Sequence, residues 1–104
     1  MDESEYENLA KSAFVALEDL FEDVDPDDAD LEPAGDVIRI TFGNGQVVVV
    51  NTQRPARQIW LAGGKQAWHF SWDADGERWL DDKDANVELF AQLRKLAADN
   101  GVTV

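Results

Sequence analysis

Cysteine is absent from the 104 residues of this chain. Its absence excludes disulfides, zinc–thiolate sites, iron–sulfur clusters held by the chain's own side chains, and thiol catalysis. A reducing cytosol is the natural setting for such a composition. The only histidine, His69, lacks the serine and aspartate context of a hydrolytic triad. We therefore expect a protein that acts by binding and is not a conventional enzyme.

Long apolar stretches are absent as well, and no run approaches the roughly 20 residues that cross a bilayer. The amino terminus, Met1–Glu5, is acidic. It lacks the basic start and apolar stretch of a signal peptide and the arginine-rich character of a mitochondrial presequence. We therefore expect an untargeted, cytoplasmic protein with no membrane association.

Basic residues are few, since 9 Lys and Arg stand against 22 Asp and Glu, a formal net charge of −13. A field of this sign repels nucleic-acid phosphates and anionic membranes, and it attracts cations and basic protein surfaces. Solubility alone is the other explanation of such a charge. Apolar residues nevertheless make up 44% of the chain, with four Trp and five Phe. We therefore expect one folded domain spanning residues 1–104, with no nucleic-acid partner.

An amphipathic helix is predicted over residues 4–23. Ser4 and Glu7 have the spacing of a capping box at its start. Asp25–Pro26 ends it, because the residue before a proline disfavours helical geometry. The apolar positions recur in steps of three and four, which is typical of a buried helical stripe: Tyr6, Leu9, Ala10, Ala13, Phe14, Leu17, Leu20, Phe21 and Val24.

The middle of the chain changes to the alternation of extended strands after a polar loop. Strands are predicted at 38–42, 47–50, 57–62, 67–73 and 77–81, with a tight hairpin at Asn44–Gly45. A second helix is predicted to begin near Asp84 or Asn86 as N-cap and to end before Gly101. This order favours an α+β fold, a two-layer sandwich with two terminal helices packed on one face of an antiparallel sheet of five to six strands.

Acidic residues concentrate between positions 18 and 32, where nine acids occur in fifteen residues without a base. Glu18 and Glu22 are four apart, as are Asp19 and Asp23, so a helix would place like charges side by side at about 0.2–0.5 kcal/mol per pair. They also lie at the helix's carboxyl end, where the macrodipole favours cations. A cation or a basic partner would relieve this cost.

Carboxylate oxygens suit hard ions such as Ca²⁺, Mg²⁺, Mn²⁺ and Fe³⁺, with Fe²⁺ also compatible. A calcium EF-hand loop started at Asp23 fails, because its sixth position is Asp28 instead of glycine and its twelfth is Ala34 instead of glutamate. The acids therefore predict weak, exposed binding of several ions. The alternative is a solvated face that binds nothing.

The segment 51–62 is unusual for a strand, because Trp60 stands beside amides and arginines. Alternation puts Ile59 and Leu61 on one face and Gln58 and Trp60 on the other. If the helices cover the first face, Trp60 lies on the open face, and exposed tryptophan is enriched at binding hot spots. The alternative is that Trp60 packs along its own sheet.

The pattern N-x-Q-x-P-x-x-Q-I-W-L-A at 51–62 resembles the signature strand of the frataxin family and is close to specific for it. The acidic first helix, the Asn44–Gly45 hairpin, residues 69–73 and 76–79, and a closing helix with Leu89 and Leu93 fit the same family. The resemblance covers essentially the whole chain. Because the acidic helix comes first, without a presequence, the chain is most similar to the bacterial CyaY type.

The resemblance implies a frataxin-like fold and a role in iron–sulfur cluster assembly. Members of the family bind Fe²⁺ and Fe³⁺ weakly through an acidic ridge, and they dock on a complex of cysteine desulfurase and scaffold protein, as iron donors or as regulators. By position, the metal-binding residues, named here the acidic ridge, are Glu18, Asp19, Glu22, Asp23, Asp25 and Asp27. The corresponding partner-binding residues are Asn51, Gln53, Gln58 and Trp60.

Two positions depart from the family pattern. Some bacterial relatives carry a metal-binding histidine in the first helix, and Glu7 occupies that place here. Pro26 also stiffens the loop that carries the later ridge acids. Alternatives to an iron-binding assembly factor are ferroxidase-type iron oxidation and an acidic docking module with no physiological metal. We expect a monomer, and so acidic a surface is compatible with metal-driven oligomers.

Overall fold

The computed structural model describes all 104 residues as two helices flanking six strands. The helices are α1 (Glu3–Leu20) and α2 (Leu89–Asp99). The strands are β1 (Ala29–Ala34), β2 (Val37–Phe42), β3 (Val47–Gln53), β4 (Gln58–Gly63), β5 (Gln66–Asp73) and β6 (Arg78–Asp81). They form one antiparallel sheet in sequence order. The predicted α+β fold class is confirmed.

The first helix begins and ends earlier than its pattern predicted. Asp2, and not Ser4, is the N-cap, since its carboxylate accepts the backbone N–H of Glu5 at 2.7 Å. After Leu20 the backbone continues in tighter turns, in which the N–H of Glu22 bonds to the oxygen of Asp19 at 3.2 Å. Glu22 and Asp23 therefore lie beyond the helix, and the predicted four-residue stripes of like charge do not form.

β1 lies where the sequence predicted a polar loop. Its acids and Pro33 hide the strand pattern, because Ala29 and Leu31 are the only residues of the strand that are buried or half-buried. The strand is at the edge of the sheet and pairs only with β2. Proline is tolerated at an edge because it needs no partner for a backbone N–H.

Both helices cover the same face of the sheet. Alternate strand residues, among them Ile40, Val50, Ile59, Leu61 and Phe70, point to the helices. Together with the buried side chains of the helices and the segments after them, they form a core of 20 buried apolar residues. Neither helix combines the length and the apolar composition that a membrane span requires. The opposite face of the sheet carries the intervening residues and has no helix over it.

The second helix starts later than predicted. Glu88 is its N-cap and accepts the backbone N–H groups of Phe90 and Ala91 at 2.8 and 3.1 Å, so neither Asp84 nor Asn86 has this role. At the other end Gly101 has φ +83°, and the N–H groups of Gly101 and Val102 return to the oxygens of Ala98 and Ala97. This is a Schellman motif, so the prediction that Gly101 ends the helix is confirmed.

Candidate functional site

The acidic ridge lies at the carboxyl end of α1 and in the loop that follows it. All six carboxylates are exposed, and none takes part in the three ion pairs of the molecule. Glu18 and Asp19 occupy the last turn of α1, which contains no basic residue. The ridge is therefore a patch of one sign, placed at the negative end of a helix dipole.

The loop part of the ridge has a fixed backbone. The carboxylate of Asp25 accepts the N–H of Asp27 at 2.9 Å, and its carbonyl accepts those of Asp28 and Ala29. Gly43 of the β2–β3 hairpin lies against this loop, because a Cβ there would come within 2.6 Å of the carbonyl oxygen of Asp27. One oxygen of Asp25 is thus engaged by its own loop.

The ridge acids do not converge on a ready-made cage. Nowhere in the chain do three His, Asp or Glu side chains come together in an arrangement that could hold a metal ion. A cation at the ridge would meet one or two carboxylates at a time and would keep much of its water. Such a geometry is suited to weak, exchangeable binding of hard ions.

Glu7 is engaged away from the ridge. Its carboxylate lies 3.1 Å from Arg54 Nη1, and Arg54 Nη2 lies 3.3 Å from Asp36. The hydrogen bond and charge of Asp36, followed by the charge of Glu7, raise the pKa of the Arg54 guanidinium above its ordinary value. Arg54 of the β3–β4 turn therefore joins the amino-terminal half of α1, through Glu7, to the β1–β2 turn, through Asp36.

The second candidate site is the open face of β4 and β5. The register pairs Trp60 with His69, and their rings stack with centroids 4.0 Å apart and an interplanar angle of 11°. Trp60 therefore does pack along its own sheet, and it remains partly exposed. An amphipathic ring that stacks on its neighbour on an open sheet face and stays partly exposed is suited to protein contact.

Gln58 is not a free surface contact, because only 9% of it is exposed. Its Oε1 accepts from Trp60 Nε1 at 2.9 Å, while its Nε2 donates to Ser71 Oγ at 3.2 Å and to the carboxylate of Asp82. Ser71 Oγ in turn donates to Asp82 at 2.8 Å. We name Gln58, Trp60, His69, Ser71 and Asp82 the Trp60 network.

The sequence patterns did not identify Ser71 or Asp82. The pairing of Gln58 with Ser71 depends on the β4–β5 register, and Asp82 reaches them only after β6 has ended. Strand alternation within 67–73 is enough to put His69 on the outer side of its strand, but it carries no sign that His69 stacks on Trp60. A carboxylate just after a strand was the one local signal for Asp82.

Asn51 and Gln53 complete the predicted partner-binding set. Asn51 pairs with Trp60 and Gln53 with Gln58 across β3 and β4, so the structure brings all four residues together. Both are partly exposed, and Asn51 donates to the carbonyl oxygen of Thr52 at 3.1 Å. The acidic ridge belongs to the helix layer and its loop, so the molecule has two distinct candidate surfaces.

The chain is a two-layer α+β sandwich with its candidate functional residues in two groups, the acidic ridge and the open face of β4 and β5. A family model described as a frataxin-like domain matches residues 1–101. The iron-sulfur cluster assembly protein CyaY of Pseudomonas fluorescens is 37% identical over 99 residues, which cover 95% of this chain and 88% of that protein.

The solved structure of a frataxin from Psychromonas ingrahamii, studied as a model of stability within the CyaY protein family, matches with a TM-score of 0.87 and 26% identity. The match covers 100% of this chain and 96% of that one. The chain belongs to the frataxin family, and within it to the CyaY type.

Proposed function

We propose that this protein is a non-enzymatic factor of iron–sulfur cluster assembly that binds Fe²⁺ or Fe³⁺ weakly at the acidic ridge. It docks on a complex of cysteine desulfurase and scaffold protein and acts there as an iron donor or a regulator. The CyaY relative named as an iron-sulfur cluster assembly protein supports the process. The separation of the acidic ridge from the open face of β4 and β5 supports separate roles for these two surfaces.

The observation that carries the proposal is that the ridge carboxylates are exposed and have no basic partner. The nine bases of the chain leave these acids uncompensated. Hard cations prefer carboxylate oxygens, and a basic protein surface would be attracted by the same field. Iron and a basic patch of the desulfurase would therefore bind the ridge either in competition or one after the other.

The open face supplies the second contact. Trp60, with Asn51 and Gln53 beside it, presents an aromatic ring flanked by amide groups, which is the composition of a protein-binding hot spot. Gln58 holds the ring by accepting its indole N–H and does not lie free on the surface. The scaffold protein would meet this face while the ridge faces the desulfurase.

An acidic docking module without a physiological metal is the second candidate. The observation that favours it is that no three potential ligands converge at the ridge. The same observation does not support a ferroxidase mechanism, since a dedicated iron-oxidising centre in helical proteins is built from converging carboxylates and histidines.

Neutralising part of the ridge tests the proposal. We expect the quadruple variant Glu18→Gln, Asp19→Asn, Glu22→Gln, Asp23→Asn to weaken both Fe²⁺ binding and binding to the desulfurase complex by at least about tenfold, measured by anaerobic calorimetry. A matched control neutralises four exposed acids elsewhere: Asp75, Glu77, Asp84 and Asp99. It removes the same charge and should retain most of both affinities.

Trp60→Ala separates the two surfaces in the same assay. It should weaken the scaffold contact and leave iron affinity unchanged, because the ring lies outside the ridge. Unchanged iron and partner binding in the quadruple variant would refute the proposal. Loss of iron binding alone would leave the ridge as a metal site and assign docking to the Trp60 face.

A further inference from the structure

Asparagine followed by glycine occurs twice in the chain, at Asn44–Gly45 and Asn100–Gly101. The fold brings these two dipeptides together: Asn44 Nδ2 donates to Asn100 Oδ1 at 2.9 Å, across 56 positions of sequence. One lies at the tip of the β2–β3 hairpin and the other at the carboxyl end of α2. The other three asparagines, Asn8, Asn51 and Asn86, precede larger residues.

Asparagine before glycine is chemically labile, because glycine has no side chain to shield its backbone nitrogen. The glycine nitrogen attacks the asparagine Cγ and loses its proton as the new C–N bond forms. The side-chain amide nitrogen leaves as ammonia, and a cyclic imide remains. Water then opens the cyclic imide at either carbonyl carbon and gives aspartate or isoaspartate. Water is the only co-reactant, and nothing is oxidised or reduced.

The folded chain holds both dipeptides away from this reaction. The attacking nitrogens of Gly45 and Gly101 donate instead to the oxygens of Phe42 and Ala98 at 2.9 and 3.0 Å. Asn44 Oδ1 accepts the N–H of Gln46 at 2.9 Å. Asn100 Nδ2 donates to the oxygen of Leu96 at 2.8 Å.

The shared hydrogen bond makes the two dipeptides one site. Each side-chain amide has one local partner, and its second is the other asparagine. Deamidation of Asn44 would replace the donor Nδ2 with a carboxylate oxygen facing Asn100 Oδ1. Attraction would become repulsion, so the hairpin tip would separate from the end of α2 and release the Asn100 side chain.

We propose that Asn44–Gly45 and Asn100–Gly101 form a coupled deamidation site, in which the hydrogen bond between the asparagines slows reaction at both and the first deamidation accelerates the second. The site lies outside the acidic ridge and the Trp60 network, and the inference does not depend on the proposed function. Each event adds a negative charge to an already acidic protein.

Timed incubation of the whole protein at neutral pH and 37 °C, followed by peptide mass spectrometry with isoaspartate detection, tests the coupling. We expect Asn100→Ala to speed deamidation of Asn44 about fivefold, which is the effect of removing one typical hydrogen bond. Asn44→Asp, which imitates the first product, should speed reaction at Asn100 by at least as much. Asp99→Ala, an exposed neighbour without a side-chain hydrogen bond, should leave Asn44 unchanged.

General destabilisation is distinguished by hydrogen exchange at the amide of Ile59, in the middle of the sheet. That exchange should rise less than the deamidation rate in Asn100→Ala, and in strong denaturant the variant and the wild type should deamidate Asn44 equally fast. Equal rates in the folded wild type and Asn100→Ala would overturn the proposal. An equal rise at Ile59 and Asn44 would also overturn it, since the hydrogen bond would then act only through global stability.

Discussion

Tyr6 of α1 is almost completely buried, and its hydroxyl donates to the carbonyl oxygen of Gln58 at 2.6 Å. Burial raises the pKa of Tyr6 above its ordinary value of 10.0, because the phenolate would lose its hydration. The residue thus joins the first helix to the strand that carries Trp60. Arg57, just before that strand, has φ +55° and places its guanidinium 6.0 Å from the Tyr6 ring centroid.

The raised pKa of Tyr6 predicts a pH dependence of stability. The neutral hydroxyl stabilises the fold fully below about pH 10, and this contribution is lost as the pH rises through the higher pKa of the folded state. At pH 8 we expect Tyr6→Phe to lower the free energy of unfolding by about 1 kcal/mol. Urea denaturation from pH 8 to pH 11 should show this difference shrinking above pH 10, and a constant difference would contradict the account.

Asp82 orients the Trp60 ring indirectly, because it accepts from Gln58, which accepts from the indole. We expect Asp82→Ala to lower the free energy of unfolding by about 1 kcal/mol and to weaken scaffold binding about fivefold. The indole N–H resonance of Trp60 in an NMR spectrum should shift and broaden.

Asp75→Ala is the matched control for Asp82→Ala. It removes the same charge from an exposed turn in which Asp75 makes no side-chain hydrogen bond or ion pair. An unchanged Trp60 resonance in Asp82→Ala, together with unchanged scaffold binding, would show that the network does not position the ring.

α1 is charged against its own dipole at one end only. Its first turn carries Glu3 and Glu5, which the dipole favours, while its last turn carries Glu18 and Asp19 with no base. The ridge end of the helix is therefore under electrostatic strain that binding of a cation would relieve. Cation binding would favour acidic residues at this end of the helix, whereas stability would favour neutral or basic ones.

Neutralisation should therefore have opposite effects at the two ends of α1. Glu18→Gln with Asp19→Asn should raise the free energy of unfolding by about 0.5–1 kcal/mol at low ionic strength, and Glu3→Gln with Glu5→Gln should lower it by a similar amount. Urea denaturation at low and high salt measures both, and salt should reduce both effects. A loss of stability in the Glu18 and Asp19 variant would contradict this account of the ridge.

Across the whole molecule, long periodic segments were the predictable part of the fold. The stripe of α1 and the alternation of β2 to β5 predicted the two layers, because burial of one face imposes a period on the sequence. β1 was missed because an edge strand with Pro33 needs little apolar surface. The cap positions, Asp2 and Glu88, differed from prediction because several acids near each helix start could serve.

The two candidate surfaces also differ in how much of each could be predicted from the sequence. The acids between positions 18 and 32 are contiguous in sequence, so composition alone showed their concentration. The family resemblance then selected the six that are named the acidic ridge. The Trp60 network joins residues from β4, β5 and the segment after β6. The register pairs Gln58 with Ser71, and only the side-chain hydrogen bonds show that Asp82 meets both. Local patterns carry no information about such a contact.

We propose that the acidic ridge binds iron weakly and that this site is separate from Trp60 and the open face of the sheet. Anaerobic titration of the metal-free protein with Fe²⁺, followed by NMR of the backbone amides, tests it most directly, with Mg²⁺ and Ca²⁺ as controls. We predict shifts and broadening confined to residues around 18–32 and stronger for iron, with the amides around Trp60 unchanged. Equal responses to all three ions, or no response at the ridge, would contradict the claim and leave the acids as a docking surface for a basic protein.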